Sequence, residues 1–342
     1  MLDPIIQQDV QHIAESLRKR REIRGLEGAK ILVTGGAGFL GSWFCDTLHS
    51  IGANVVCLDN LATGRKDNVD HLLNEKRFSF VRADVKKYMP TKGDFEAIAH
   101  MASRPSPDDY QRHPIETLTT SSDGTRNVME LARRSDARVL FTSTSEVYGD
   151  AELIPTPETY WGNVSSTGPR SCYDEGKRYA EALVAAYDRE YGIDARMVRI
   201  FNTYGPRLRA EGFYGRAVSR FVLQALNNRD ITVYGDGKQT RSFCYVADTT
   251  EGIALALALE KAKGQTVNIG NPDEISILNL ARMIKRITES KSRIAFHPLP
   301  KDDPKRRSPQ TQKAKEILGW TAKTPVREGL TKSVKWFQLQ GK

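Results

Sequence analysis

The chain has 342 residues, a hydrophobic content of 39% and a formal net charge of +9. This length fits about two domains with a substantial core, and the composition excludes a disordered or low-complexity protein. No apolar run reaches the roughly 18 residues that cross a bilayer, and the N-terminus lacks a signal-peptide core, so we expect no membrane partner. The basic residues are scattered without a nucleic-acid-binding module, so we interpret the charge as that of an enzyme for anionic metabolites.

The cysteine pattern indicates the compartment. Cys45, Cys57, Cys172 and Cys244 stand far apart, with no CxxC pair. This spacing argues against a zinc site and against a disulfide framework. It is typical of a reducing environment, so we expect a cytoplasmic protein without a bound metal.

The first predicted element is an amphipathic helix. Ile6, Val10, Ile13 and Leu17 form one apolar stripe along it, and the basic run of residues 18–24 ends it. We expect this helix to pack on the body of the protein or on a second subunit. Binding to a membrane surface is an alternative that no other feature supports.

Strands and helices then alternate along the chain. Short apolar runs predict strands over residues 31–34, 55–58, 78–82, 97–101, 137–144 and 194–202. Helical spacing predicts helices over residues 39–51, 114–134 and 173–191. This alternation predicts an α/β fold with a doubly wound parallel sheet of Rossmann type.

A glycine-rich turn follows the first strand. Gly35, Gly36, Gly38 and Gly41 connect that strand to the next helix, and their missing side chains allow the backbone to approach a pyrophosphate closely. The helix N-terminus offers free N–H groups to the phosphates. Asp59 ends the following strand, where its carboxylate can accept from both ribose hydroxyls, so we expect NAD rather than NADP.

Two further residues bear on this dinucleotide site. Arg65 stands close enough to Asp59 in the sequence to allow some tolerance of NADP. Asp84 lies in an Ala-Asp-Val segment that ends a strand, a position that suits contact with adenine.

The oxidation chemistry is indicated by a tyrosine and a lysine. A nicotinamide oxidant needs a base for the alcohol proton, and free tyrosine has a pKa near 10. Lys177 lies one helical turn after Tyr173, so we expect its charge, with that of the nicotinamide ring, to favour the phenolate. Thr144, at a neighbouring strand end, is placed to orient the alcohol.

The pattern loosens from about residue 203 into loops rich in Gly, Pro and Arg, with helices near residues 219–226 and 277–288. We expect a smaller α/β C-terminal lobe that binds the substrate. The predicted domains are an N-terminal helical extension (1–28), an NAD-binding Rossmann domain (29–200) and a substrate lobe (201–342), with parts of 240–275 returning to the Rossmann domain.

Six segments give the chain from Lys30 onward a family resemblance. They read TGGAGFLG, STSEVYGD, YDEGK, RIFNTYGPR, VYGDGKQTRSFCYVAD and NIGNPDE. The chain resembles the extended short-chain dehydrogenases/reductases that remodel nucleotide sugars. Within them, LDNLATGRKDNV, YWGNV and DDPKRRSPQTQKAKEILGW resemble most the branch that decarboxylates UDP-glucuronate.

The resemblance indicates which reaction Glu146 serves. Related 4,6-dehydratases carry an Asp-Glu pair after the threonine, whereas this chain has Ser145 and Glu146, so the dehydratase acid is missing. The decarboxylase branch has Ser-Glu here and an arginine near the C-terminus, which Arg307 matches. Ser308 replaces the usual lysine beside that arginine.

The implied reaction is decarboxylation of UDP-glucuronate to UDP-xylose. Oxidation at C4, with Tyr173 as base, places the C6 carboxylate β to a ketone. CO2 then leaves, C5 is protonated, and C4 is reduced again with the recycled hydride. The resemblance implies that Glu146 and Arg307 flank the carboxylate, and it does not decide which of them supplies the C5 proton.

The expected site is completed by contacts to the two ligands. We expect the cofactor to contact Gly35, Gly38, Phe39, Leu40, Gly41, Asp59, Asn60, Thr63, Gly64, Asp84, Val85, Met101, Ala102, Ser103, Thr120, Tyr173 and Lys177. We expect the nucleotide sugar to contact Arg104, Ser145, Asn202, Arg207, Arg216, Tyr234 and Arg241, with Arg216 and Arg241 at the pyrophosphate.

Two departures from the decarboxylase pattern leave the substrate open. Thr119 stands where that branch usually has a lysine for the sugar acid, and Arg104 is a cation in a place where the branch usually has none. Arg104 either replaces the missing lysine or signals a different sugar.

Three hypotheses therefore stay open: the decarboxylase, another nucleotide-sugar enzyme (a 4-epimerase or a 4,6-dehydratase), and a non-catalytic dinucleotide-binding regulator. Glu146 with Arg307 argues against a simple epimerase, and the complete set of hydroxyl, tyrosine and lysine argues against a regulator. The resemblance also implies a homodimer through the helix after Pro114 and the helix of Tyr173.

Overall fold

The computed structural model describes residues 2–90, 94–209, 217–299 and 306–340. In chain order the strands are β1 (Lys30–Thr34), β2 (Asn54–Asp59), β3 (Phe78–Arg82), β4 (Ala97–His100), β5 (Arg138–Thr144), β6 (Ala195–Ile200), β7 (Thr203–Tyr204), β8 (Ile231–Tyr234), β9 (Thr240–Ser242), β10 (Cys244–Tyr245), β11 (Thr266–Ile269), β12 (Glu274–Ser276), β13 (Ile294–His297) and β14 (Arg306–Arg307). The α-helices are α1 (Pro4–Arg18), α2 (Phe39–Ser50), α3 (Pro107–Arg112), α4 (Pro114–Thr119), α5 (Thr125–Ser135), α6 (Ser171–Tyr191), α7 (Ala217–Leu226), α8 (Val246–Ala258), α9 (Ile277–Ile287), α10 (Gln312–Leu318) and α11 (Val326–Gln340).

Seven parallel strands form the main sheet in the order β3-β2-β1-β4-β5-β6-β11. The chain builds outward from β1 to β3, then returns to the other side of β1 and builds outward again. The strand order therefore reverses between β1 and β4, and in such sheets ligands bind in the crevice at the carboxyl ends beside this point. The predicted doubly wound parallel sheet is confirmed.

Apolar residues on both faces of the strands explain why this sheet is buried. In β1, Ile31 and Val33 belong to the core that includes α2 and α8 on one face, whereas Leu32 belongs to the core that includes α5 and α6 on the other. Successive side chains of a strand point to opposite faces, so a run of apolar residues suits a sheet that helices cover on both sides.

The N-terminal helix α1 packs on the body of the protein. Its stripe of Ile6, Val10, Ile13 and Leu17 is buried in the same core as α2 and α8. Asp9, on the buried side, accepts hydrogen bonds from Tyr245 at 2.7 Å and from Lys332 at 2.7 Å. The helix ends at Arg18, and most of the basic run continues as a separate 3₁₀ turn over Arg21–Leu26.

The helix predicted over residues 114–134 is interrupted. A π-helical turn, Thr120–Gly124, joins α4 to α5. A Cβ on Gly124 would lie 2.9 Å from Cγ1 of Val85, so this glycine lets the helix pass close to the end of β3. Periodicity alone does not record such a turn, because the apolar spacing continues on both sides of it.

The C-terminal part of the chain divides between the sheet and a smaller lobe. Helix α8 packs on α2 and β11 joins the edge of the main sheet. The smaller lobe holds a three-stranded sheet in the order β12-β9-β14. Strand β9 lies in a segment that we predicted as a loop, because three residues are too few to show a strand period. Within the described ranges, no helix is long and apolar enough to cross a membrane.

Candidate active site

The glycine turn after β1 forms the floor of a crevice at the carboxyl ends of the strands. Gly35 has a φ of 70°, and a Cβ there would lie 2.7 Å from the backbone of Ala102. A Cβ on Gly41 would lie 2.1 Å from the carbonyl oxygen of Gly35. Side chains at these positions would push the turn and the start of α2 apart, so the close approach that a pyrophosphate needs depends on glycine.

Asp59 ends β2 at the side of this crevice. Its carboxylate accepts from the backbone N–H groups of Ala37 at 3.0 Å and Leu61 at 2.7 Å. Burial raises the pKa of Asp59, although these hydrogen bonds act in the opposite direction. Gly64 lies directly against this carboxylate, since a Cβ there would be 2.9 Å from both carboxylate oxygens.

Most of the predicted cofactor contacts line this one crevice. They are Gly35, Gly38, Phe39, Leu40, Gly41, Asp59, Asn60, Thr63, Asp84, Val85, Met101, Ala102, Ser103, Thr120, Tyr173 and Lys177. Arg209 also lines the crevice and donates to the carbonyl of Thr63 at 2.9 Å; sequence reasoning did not single it out.

Tyr173 and Lys177 lie one turn apart on α6, facing the end of β5. Lys177 donates from Nζ to the carbonyl oxygen of Thr142 at 2.8 Å, and burial lowers its pKa to about 8. Burial raises the pKa of Tyr173 and the charge of Glu146 raises it further, while the hydroxyl of Thr144 opposes the shift. We expected the charges of Lys177 and of the nicotinamide ring to favour the phenolate; burial of Tyr173 acts in the opposite direction.

Glu146 follows β5 in a 3₁₀ turn, Ser145–Tyr148, and binds two arginines. Arg307 donates to its two carboxylate oxygens at 2.5 and 2.9 Å, and Arg170 donates to Oε2. Burial alone would raise the pKa of Glu146, but the two guanidinium groups outweigh it and lower the pKa. Glu146 therefore stays ionised beside Tyr173.

Arg170 and Asp174 are site residues that sequence reasoning missed. Arg170 precedes α6, and its Nε lies 3.7 Å from Oδ2 of Asp174. Asp174 follows Tyr173 directly and is buried. Both are within three residues of Tyr173 in the sequence, so their closeness to it was visible, but the contact of Arg170 with Glu146 was not. Tyr110, from α3, stacks on Tyr173 with ring centres 5.2 Å apart.

A second cavity continues from the crevice into the smaller lobe. Of the predicted substrate contacts, Asn202, Tyr234 and Arg241 line it, and Arg307 lies opposite Arg241 where β14 pairs with β9. Arg220 on α7 also lines it, with its guanidinium 5.0 Å from the ring centre of Tyr234. Sequence reasoning missed Arg220, which sits in a plain helical pattern.

Two predicted substrate arginines have partners within the protein. Arg104 donates to Asp109 at 2.9 Å and to Glu116 at 2.7 Å, so its charge is balanced within the α3–α4 region. Arg207 forms a buried ion pair with Asp46 at 2.7 Å.

The other positions noted in the sequence are distributed as follows. Both Arg104 and Arg207 line the cofactor crevice, as does Ser145. The hydroxyl of Thr119 donates to the carbonyl of Ile115, within its own helix. Arg216 lies outside the described residues.

The two cavities meet at Tyr173. Glu146, Tyr173, Asn202 and Thr203 line both of them. A dinucleotide in the crevice and a ligand in the second cavity would thus meet beside a tyrosine, a hydroxyl and an ionised carboxylate. Such an arrangement can transfer a hydride and a proton between two bound molecules.

The chain belongs to the NAD dependent epimerase/dehydratase family, whose model matches residues 31–270. NAD is the cofactor of this family, in agreement with the glycine turn and Asp59. The chain is 45% identical over 331 residues to UDP-glucuronic acid decarboxylase 1 of Xenopus tropicalis, covering 97% of this chain and 75% of that protein. It is 47% identical over 309 residues to UDP-glucuronic acid decarboxylase 4 of Arabidopsis thaliana, covering 90% of this chain and 68% of that protein.

Solved structures with the same fold include two other types of enzyme. A UDP-glucose 4-epimerase from Thermotoga maritima, solved with UDP-glucose, has a TM-score of 0.83 at 29% identity, covering 92% of this chain and all of that one (100%). A dTDP-glucose 4,6-dehydratase from Streptomyces venezuelae, solved with NAD bound, has a TM-score of 0.81 at 27% identity, covering 91% of this chain and 97% of that one.

Proposed function

We propose that this protein decarboxylates UDP-glucuronate to UDP-xylose with NAD as a recycled oxidant. The observation that carries the proposal is the Glu146–Arg307 ion pair at the junction of the two cavities. Relatives of 45–47% identity that carry the name UDP-glucuronic acid decarboxylase support the same choice. A simple 4-epimerase needs neither Glu146 nor Arg307 for its chemistry.

The crevice fits the cofactor. Gly35 and Gly41 leave the space that a pyrophosphate would use, and Asp59 offers its carboxylate to the adenosine ribose. Bound NAD+ supplies a reversible hydride acceptor and a positive charge that favours a nearby phenolate. This second contribution matters here, because burial raises the pKa of Tyr173.

Tyr173 would act as the base that takes the C4 hydroxyl proton, while Thr144 orients that hydroxyl. Lys177, with a pKa of about 8, stays mostly protonated near neutral pH and keeps a positive charge one turn away. Once C4 is a ketone, the C6 carboxylate is β to a carbonyl and can leave as CO2. The enolate that remains would be stabilised by hydrogen bonds from Tyr173 and Thr144.

Glu146 and Arg307 would position the sugar carboxylate and manage the proton that C5 receives. Arg307 is a bidentate donor, the geometry that binds carboxylates best. Arg170 adds a second guanidinium to the same place. These two cations offset Glu146, so the carboxylate of the substrate would not enter a negatively charged site.

The nucleotide would occupy the part of the second cavity that lies in the smaller lobe. Arg220 and Arg241 bring positive charge for the pyrophosphate, and the aromatic ring of Tyr234 suits the uracil. These assignments rest on chemistry and on the cavity that the residues share.

We also propose a homodimer through α4 and α6. These helices pack on each other, yet Ile115, Leu118 and Tyr179 have relative exposures of 75%, 42% and 51%. Exposed apolar groups of this size on neighbouring helices suit a subunit interface. The Ile115→Lys variant should shift the mass measured by light scattering from dimer to monomer, whereas Glu190→Lys, beyond this patch, should not.

The four buried thiols fit a reducing compartment, and we place the protein in the cytoplasm on that ground.

The experiment that tests the reaction is incubation of the pure protein with UDP-glucuronate and NAD+, followed by mass spectrometry of the nucleotide sugars. We expect a product lighter by one CO2 without net NADH. An unchanged mass with formation of UDP-galacturonate would make the protein an epimerase and would overturn the proposal. Tyr173→Phe is the matched inactive control, because it keeps the ring and removes the hydroxyl.

A further inference from the structure

Four charged side chains lie together beneath the junction of the cavities. Glu146 binds Arg307 and Arg170, and Arg170 in turn lies 3.7 Å from Asp174. Asp174 has a relative exposure of 6%. Its Oδ1 is buried and, among the described residues, has no hydrogen-bond partner. Burying an ionised carboxylate oxygen without a hydrogen-bond donor costs free energy, so the surroundings of Asp174 favour the neutral carboxyl group.

The neighbouring charges lead to the same conclusion. Around Asp174, burial raises its pKa first and Glu146 raises it further, while Arg170 and Arg307 act against them, which leaves a pKa of about 7. Glu175, the next residue, is paired with Arg178 at 3.4 Å, and its negative charge raises the pKa of Asp174 less than the other groups change it.

Five other titratable groups face this region: Tyr110, Tyr173, Lys177, Cys172 and Arg241. The phenols of Tyr110 and Tyr173 have pKa values raised by burial, so they are neutral in the range that matters. Lys177 points to the carbonyl of Thr142, towards the cofactor crevice. The thiol of Cys172 is neutral as well, because burial raises its pKa. Arg241, opposite Arg307 on β9, lowers the pKa of Glu146, but in the proposed function its charge faces the pyrophosphate. The balance around Asp174 is therefore decided by two carboxylates and two guanidinium groups.

Resting on the proposed function, we infer that UDP-glucuronate binds together with one proton, which Asp174 holds. The sugar carboxylate is a third negative charge beside two guanidinium groups. With Asp174 ionised the cluster would carry one excess negative charge in a buried place, whereas with Asp174 neutral the charges balance. Entry of the carboxylate thus favours protonation of Asp174.

This role makes Asp174 a positioning residue. Its side chain acts through Arg170 and does not form part of the cavity wall, so it is not the donor to C5. The reaction replaces a C–CO2⁻ bond by a C–H bond and releases CO2, and thus consumes one proton per turnover. When CO2 has left and C5 has been protonated, the third negative charge is gone and Asp174 can release its proton as the product departs.

The test counts protons on binding. The Tyr173→Phe protein, loaded with NAD+, should bind UDP-glucuronate without turning it over. Calorimetry of this binding in two buffers of different ionisation enthalpy gives the number of protons taken up. Near pH 8, Asp174 of the unliganded site is mostly ionised, so the protein should take up close to one proton when it binds UDP-glucuronate. Near pH 5.5 it should take up close to none. Binding of UDP-glucose, which has no carboxylate, should be accompanied by uptake of far less than one proton at either pH value.

The matched variant is Asp174→Asn in the same background, which mimics the neutral carboxyl group. It should bind UDP-glucuronate with no more proton uptake than accompanies UDP-glucose, and with a Kd that varies with pH no more than the Kd of UDP-glucose does. Where Asp174 is present, Kd should rise about tenfold per pH unit above its pKa. The comparison of proton uptake between UDP-glucuronate and UDP-glucose at the two pH values needs no Asp174 variant. It therefore decides the question even where the variant folds poorly.

Equal proton uptake by the Asp174→Asn variant and by the protein that keeps Asp174, or no uptake near pH 8 although UDP-glucuronate binds, would overturn this inference alone. Lys177 also titrates near pH 8, but it would affect both sugars equally, so uptake of the same size with UDP-glucose would likewise overturn it. Failure of the wild-type protein to release CO2 from UDP-glucuronate would instead overturn the proposed function, and the inference with it.

Discussion

At the residue scale, Glu146 distinguishes this site from one that only oxidises and reduces a sugar. Its carboxylate is held by Arg307 and Arg170 and lies in the walls of both cavities. The two guanidinium groups keep it ionised although it is largely buried. The negative charge of Glu146 also raises the pKa of the Tyr173 phenol. Tyr173 therefore keeps its proton until the positively charged nicotinamide ring of NAD+ is bound beside it.

Glu146→Gln should lower kcat for UDP-glucuronate decarboxylation by about 100-fold or more, the usual range for loss of a group that manages a proton. The Kd values of UDP and NAD+ should stay within about twofold, because neither the base nor the pyrophosphate contacts change. Steady-state CO2 release and calorimetric titration check the two parts. A variant with undiminished kcat would show that Glu146 has no part in the chemistry.

Arg307→Lys should lower kcat/KM for UDP-glucuronate by about 10- to 100-fold, because a lysine keeps the charge but loses the bidentate geometry. Arg306→Lys is the matched control: Arg306 is the neighbouring residue, is exposed and pairs with Glu274 instead. Initial rates over a range of substrate concentrations give the comparison. Similar losses in both variants would argue that the strand, rather than the Arg307 guanidinium, matters.

At the element scale, α1 is part of the core although it precedes the sheet. Leu17 is fully buried at 0% exposure, and Asp9 connects the helix to α11 through Lys332. Because α1 packs on α2 and α8, its stripe adds to the apolar core on that side of the sheet. The helix therefore contributes to the stability of the fold rather than to the site directly.

Leu17→Ala should lower the free energy of unfolding by about 3 kcal/mol, within the range measured for buried leucines. Gln11→Ala, at an exposed position of the same helix, should change it by less than about 0.5 kcal/mol. Urea titration followed by circular dichroism measures both. If Leu17→Ala were as stable as Gln11→Ala, the helix would not be packed as described.

At the scale of the whole molecule, a buried histidine couples stability to pH. His100, at the end of β4, is hydrogen-bonded to Thr34 at 2.7 Å and to Thr125 at 3.2 Å, and so connects two strands and a helix. Burial, together with a smaller effect of the charge of Lys177, lowers its pKa to about 3. The folded protein therefore keeps His100 neutral where the unfolded chain, with a pKa near 6.5, binds a proton.

Because the pKa is lower in the folded state, the stability that His100 contributes is complete above about pH 6.5 and is lost as the pH falls towards 3. Between pH 6.5 and 4.5 the wild-type protein should lose about 2 kcal/mol more stability than His100→Gln, since glutamine does not titrate. Urea unfolding at several pH values checks this. Equal losses in both proteins would mean that His100 is protonated in the folded state.

The sequence by itself determined the parts of this protein that depend on neighbours in the chain. The order of strands and helices, the glycine turn with Asp59, and the Tyr173–Lys177 pair all follow from spacings of a few residues up to a single strand–helix–strand unit. Periodicity also revealed the buried stripe of α1. In each case the chemistry and the signal lie within one short segment.

Only the tertiary structure decided which distant groups meet and how burial changes them. Glu146 and Arg307 are 161 residues apart, and sequence reasoning connected them through a family resemblance rather than through the residues themselves. Arg170 and Asp174 were overlooked because their significance comes from the contact of Arg170 with Glu146 and from the proximity of Asp174 to Arg170. The effect of burial on the pKa of Tyr173 also needed the tertiary structure, because the cost of a buried charge depends on all the groups that fold around it.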